Sequence, residues 1–114
     1  MTDIKIKRIN NSIVEVDANG HTGYGEQGED IVCAGVSTLI QTALLGLLQV
    51  VAINVKYTVD ENTGSLRFTV PQNITQAERH DADVVLNTML CGLMDLYEQY
   101  SDYINLEVIR YDIY

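Results

Sequence analysis

The sequence is short of residues that staple or mark many small proteins. In 114 residues it has two cysteines, one proline, one phenylalanine and no tryptophan. Cys33 and Cys91 are too few and too far apart for a disulfide framework, which excludes the small stapled secreted domains. Cations are scarce too: seven Lys and Arg stand against sixteen Asp and Glu, a net charge of -9. A nucleic-acid surface needs cations to displace counterions, so direct nucleic-acid binding is not expected. An acidic chain instead steers basic partners toward itself. The opening "MTDIKIKRIN" alternates apolar and charged residues and lacks the apolar segment of a signal peptide. These features lead to the expectation of a cytoplasmic protein with reduced thiols, one domain over residues 1–114.

Charge is also missing from one long run, Ile31 to Ile53, "IVCAGVSTLIQTALLGLLQVVAI". It is long enough to span a bilayer. Its polar residues are not scattered, however. Ser37, Thr38, Gln41, Thr42 and Gln49 fall within an arc of about 140° on a helical wheel. A lipid-facing helix needs no such stripe, so the expectation is no membrane span. The run reads instead as a helix buried on most sides, in the core or in a subunit interface.

What is present reads as alternating short elements. Ile4 and Ile6 alternate with Lys5 and Lys7, and Ile13, Val14 and Val16 follow "NNS", which predicts a hairpin. "DANGHTGYGEQGED" reads as loop, with Asp30 as the N-cap of a helix whose first residue is Ile31. "INVKYTVD" and "SLRFTVP" predict a second hairpin around "ENTG", closed by Pro71. "TQAE" from Thr75 to Glu78 has capping-box spacing and opens a helix to about Tyr100. Its apolar stripe is Ala82, Leu86, Leu90, Leu93, Tyr97 and Tyr100. "INLEVIRYDIY" predicts a final strand. The order β-β-α-β-β-α-β, with hairpins and no βαβ rhythm, implies an α+β fold: an antiparallel sheet with two helices.

The chemistry concentrates in "GHTGYGEQGEDIVC", residues 20 to 33, with four glycines, one of two histidines and one of two cysteines. With Asp30 as N-cap, Cys33 is the third residue of the helix. Unpaired amides and the helix dipole favour a thiolate there. His21 could take the thiol proton or stabilise the thiolate as imidazolium, and the glycines let the chain turn back toward the helix. Asp30, Cys33, Ser37 and Gln41 share about 80° of the wheel. First-turn amides could donate to an oxyanion. The plain alternative is a small packed cysteine beside an ordinary loop histidine. A phosphate loop is disfavoured, because the segment has no GxGxxG or GK[ST] and carries Glu26, Glu29 and Asp30.

At "GHTGYGEQGEDIVCAGVSTLIQTALLGL" the chain resembles the ribosomal-processing cysteine proteases, the Prp family. The family pattern is Gly-His, a short loop of small and acidic residues, then Asp-Ile-Val-Cys-Ala-Ala-Val-Ser. Gly20 and His21 match the first part; Asp30, Ile31, Val32 and Cys33 match the second, followed by Ala34, Val36 and Ser37. Gly35 departs where Ala is usual. The resemblance implies a bacterial endopeptidase that removes a short N-terminal extension from a large-subunit ribosomal protein, cutting beside an aromatic pair before a small residue. It implies Cys33 as nucleophile and His21 as general base, with Gly20, Asp30 and Ser37 supporting the chemistry or binding substrate. It also implies a homodimer, no cofactor, and a glycine-rich loop that orders over substrate. A basic ribosomal extension suits the acidic chain.

Other readings carry different consequences. A non-catalytic acidic module that grips a basic peptide or ribosomal protein would leave Cys33 dispensable. A redox-sensing thiol would need a disulfide between molecules, since Cys91 is on another element. Zinc binding by His21, Cys33, His80 and Cys91 lacks the short ligand spacings of structural sites, so no metal is expected. Cys91 beside Leu90 reads as a buried inert thiol, and His80 as exposed.

Overall fold

The computed structural model describes residues 1–20 and 29–112, with the side chains of Glu29 and Asp30 outside that description. The elements are β1 (Thr2–Ile9), β2 (Ser12–Asn19), α1 (Glu29–Leu45), a π-helical turn (Gly46–Val50), β3 (Lys56–Asp60), β4 (Ser65–Thr69), α2 (Gln76–Gln99) and β5 (Ile104–Tyr111). The order is the expected one, and the class is α+β. The five strands form a single sheet in the order β3-β4-β2-β1-β5.

The sheet is mostly antiparallel. β1 and β2 form a hairpin whose turn puts Asn10 at φ 54°, a left-handed conformation that Asn tolerates. The β3–β4 hairpin turns through Asp60, whose carboxylate accepts from the amides of Asn62 at 3.0 Å and Thr63 at 3.4 Å, and through Gly64 at φ 67°. β5 is the exception: it pairs parallel with β1, from Thr2 opposite Ile104 to Ile9 opposite Tyr111. Its direction follows from the α2 crossover, since parallel neighbours need a long connection.

Both helices cover one face of the sheet. Ile4, Ile6, Val16, Leu66 and Phe68 face inward and meet Val36, Ile40 and Leu47 from the first helical run and Leu86 and Leu93 from α2. The opposite face carries Lys5, Lys7, Glu15, Asp17 and Arg67. Glu15 lies 3.3 Å from Lys7 and also pairs with Arg67. Burial raises its carboxyl, but hydrogen bonds and charge from Arg67 and Lys7 outweigh that and hold it below the usual carboxylate range.

Several boundaries depart from expectation. Asp17 to Asn19 belong to β2 rather than to the loop. α1 begins at Glu29, so Asp30 is its second residue and not its N-cap. Glu is a good helix former, and an acidic first turn suits the dipole. The apolar run is not one helix: its end widens into the π-helical turn, where the Val51 amide reaches the Gly46 carbonyl at 2.9 Å. Nor is the run buried on most sides within this chain. Val32, Val36, Ile40, Ala43, Leu44 and Leu47 are buried, whereas Ile31, Leu45 and Val50 are exposed. α2 has the expected capping box, with the Glu78 amide donating to Thr75 Oγ1 at 3.1 Å and the Thr75 amide to Glu78 Oε1 at 2.9 Å. Its stripe extends beyond the core, leaving Tyr97 and Tyr100 exposed.

Candidate active site

β2 delivers Gly20, the residue that follows its end, to the side of α1 that carries Cys33. The Gly20 amide donates to the Gly64 carbonyl at 3.1 Å, which ties this point to the β3–β4 turn. A Cβ on Gly20 would lie 3.8 Å from Cys33 Sγ and 3.7 Å from the Gly64 oxygen. The glycine backbone therefore forms one wall beside the sulfur.

Cys33 is the fifth residue of α1, counting from Glu29. Helical geometry puts its own amide inside the hydrogen-bonded ladder, so the unpaired amides belong to the turn before it. This corrects the expectation of Cys33 as third residue, and the cause is the earlier helix start. Cys33 is half-buried, and its Sγ lies 2.7 Å from Thr2 Oγ1. Thr2 is 3% exposed, on the inward face of β1 with Ile4 and Ile6. The sequence reading passed over it. Extending the period-two alternation back from Ile4 puts position 2 on the core face, and that signal could have found it.

Ser37, one turn after Cys33, accepts from Gln41 Nε2 at 2.8 Å. Thr2, Gly20, Cys33 and Ser37 border a cavity of about 240 Å³. Its remaining walls include Ala18, Val36, Ile40 and Leu66, so it is largely apolar. An apolar cavity of about 150 Å³ holds a benzene molecule, so this one has room for an aromatic side chain.

The structure thus brings Gly20, Cys33 and Ser37 together. His21 lies outside the described residues, as does the Asp30 side chain; the Asp30 backbone is in the first turn of α1, on the approach to Cys33. His80 is exposed and sits 3.3 Å from Asp81. Cys91 is exposed rather than buried, because its position on α2 faces away from the core residues Leu86, Leu90 and Leu93. Among the described residues, no three side chains of the metal-ligating types come together.

A half-buried thiol beside an apolar cavity that can take a side chain is an arrangement suited to peptide chemistry, and comparison with known proteins gives the class as cysteine protease. The family model described as cysteine protease Prp matches residues 1–105. The chain belongs to the Prp family. It is 26% identical over 96 residues to the ribosomal processing cysteine protease Prp of Bacillus subtilis, with 84% of each chain covered. It is 28% identical over 94 residues to the Staphylococcus aureus protein of the same name, covering 82% of this chain and 85% of that one. A crystal structure of the essential ribosomal processing protease Prp from S. aureus, in complex with a covalently linked product peptide, superposes with a TM-score of 0.78 at 26% identity. That match covers 95% of this chain and 99% of the other.

Proposed function

We propose that this protein is a cytoplasmic endopeptidase that removes the N-terminal extension of a large-subunit bacterial ribosomal protein. The observation that carries the reading is the Cys33 sulfur at the wall of an apolar cavity with room for an aromatic side chain. The Cys33 thiolate attacks the carbonyl at the cut, forming the S–C bond. Amides of the first turn of α1 stabilise the oxyanion. His21, protonated by then, gives its proton to the leaving amine as the C–N bond breaks. It then takes a proton from the water that releases the acyl group. The reaction uses no metal or cofactor. Asp30 orients His21 or supports the helix start, and Ser37 and Gly20 contact substrate backbone.

The substrate is a basic peptide, drawn by the net charge of -9. The same charge argues against direct nucleic-acid binding. A homodimer agrees with the exposure of Ile31 at 74% and Val50 at 81%, apolar residues that a second copy would cover. Membrane insertion is disfavoured because Val36, Ile40 and Leu47 of the apolar run are committed to the core.

The test is mass spectrometry of a basic ribosomal N-terminal extension containing an aromatic pair, incubated with wild type and with Cys33→Ala. A single cut made by wild type alone supports the reading. Binding by both without a cut replaces it with a non-catalytic module for basic peptides.

A further inference from the structure

We infer that Thr2 is a positioning residue for the Cys33 thiol, its hydroxyl donating to the sulfur to favour the thiolate and hold it toward the cavity. The inference rests on Cys33 being the nucleophile. The contact is 2.7 Å, and Thr2 is the buried polar residue among the described ones. Its neighbours on the inward face of β1, Ile4 and Ile6, are apolar. A hydroxyl at such a position is costly without a hydrogen-bond partner, and a valine of the same shape would fill the space. The thiol is the partner the structure provides.

The chemistry gives the bond a direction. Either group can donate while Cys33 is a neutral thiol. A thiolate has no proton, so on ionisation the threonine must be the donor. Hydrogen bonds to ionised groups are stronger than neutral ones, so the bond tightens as the charge forms and favours the charged state. The donor is also held in place. The Thr2 amide donates to the Tyr103 carbonyl at 2.9 Å, and β1 lies between β2 and β5 in the sheet. Among the described residues lining the cavity, from β1, β2, α1 and β4, Cys33 is the one titratable side chain.

The test compares wild type, Thr2→Val, Thr2→Ala and Thr2→Ser. Each folded protein is treated with iodoacetamide, in which the thiolate displaces iodide and the thiol proton goes to buffer. Mass spectrometry follows the Cys33 peptide, which separates it from the exposed Cys91. About two pH units below the free-thiol value of roughly 8.5, Thr2→Val and Thr2→Ala should react about tenfold more slowly than wild type. Thr2→Ser should stay within about twofold of wild type, because it keeps the donor. About two units above that value every thiol is ionised, and the gap should close. Equal rates at the lower pH in either hydroxyl-free variant overturn the inference. A gap that persists at the higher pH also overturns it, since the hydroxyl would then govern access alone. Failure of Thr2→Ser to restore the rate does the same. Peptide cleavage is measured in parallel. No cleavage by wild type, with the alkylation pattern intact, rejects the protease reading and keeps the hydrogen bond; cleavage with no alkylation difference rejects the Thr2 role alone.

Discussion

Two glycines on facing helices allow helix propensity to be separated from crowding. Gly35 on α1 and Gly92 on α2 line the same groove between the helices, together with Leu39 and Leu96. Replacing either with alanine in a helix interior should gain about 0.8–1.0 kcal/mol from propensity. The surroundings differ. A Cβ on Gly35 would meet Leu96 Cδ1 at 3.5 Å, an ordinary contact. A Cβ on Gly92 would meet both Leu39 methyls, at 3.1 and 3.2 Å, with Cγ at 3.7 Å. The end of the Leu39 side chain must therefore give by a few tenths of an ångström, and turning it off its rotamer minimum to do so costs about 0.5–1.5 kcal/mol. Gly35→Ala should therefore stabilise by about 1 kcal/mol, raising the unfolding midpoint of this 114-residue chain by about 4 °C. Gly92→Ala should leave it nearly unchanged. Thermal unfolding followed by circular dichroism reads both. Peptide cleavage by Gly35→Ala should equal wild type, because Gly35 faces α2 and does not line the thiol cavity. Equal stabilisation by the two variants would refute the steric argument. No gain from Gly35→Ala would refute the propensity argument.

Three further outcomes are expected. Thr75→Ala removes one half of the capping box, so it should destabilise by about 1 kcal/mol, read from urea unfolding. Leu93→Ala empties a fully buried position on α2 and should cost about 2–5 kcal/mol in the same assay. Glu15→Gln should lower the unfolding temperature at neutral pH. A depressed carboxyl contributes stability above its unfolded value of about 4.3, lost as pH falls through the lower folded value. The gap between the two proteins should therefore narrow on acidification below about 4; a constant gap down to strong acid would show that the ion pairs with Arg67 and Lys7 are not its source.

The order of elements was legible because each carries a local signal. Alternation in "TDIKIKRI", the turn residues of "NNS" and "ENTG", and the capping box at Thr75 all act within a few residues. What stayed hidden depends on distant partners. A strand with one covered face alternates in the same way whether its neighbour is parallel or antiparallel, so the direction of β5 beside β1 left no trace in "INLEVIRY". The π-helical turn is as apolar as the helix before it, and periodicity alone does not mark the extra residue. Cys91 was misjudged because Leu90 beside it is buried, although neighbours on a helix point about 100° apart. At the site, the motif pointed to Gly20, Cys33 and Ser37. Thr2 lies 31 residues from the thiol that it touches and belongs to no local pattern with it.

The parallel seam between β1 and β5 also bears on when the thiol site comes into being. Thr2 is opposite Ile104 and bonded to the Tyr103 carbonyl, so the segment that fixes it is synthesised long after Cys33. A nascent chain carries the complete motif while β1 still lacks one of its two neighbours. Closing so long a loop is the entropically expensive step of a fold rich in non-local pairing, and it comes late. The backbone bond that fixes Thr2 therefore forms only once residue 103 has been made, so the final geometry of the site depends on a segment remote from the motif. A chain cut short before Tyr103 would retain every residue of the motif and lose the anchor that sets their geometry.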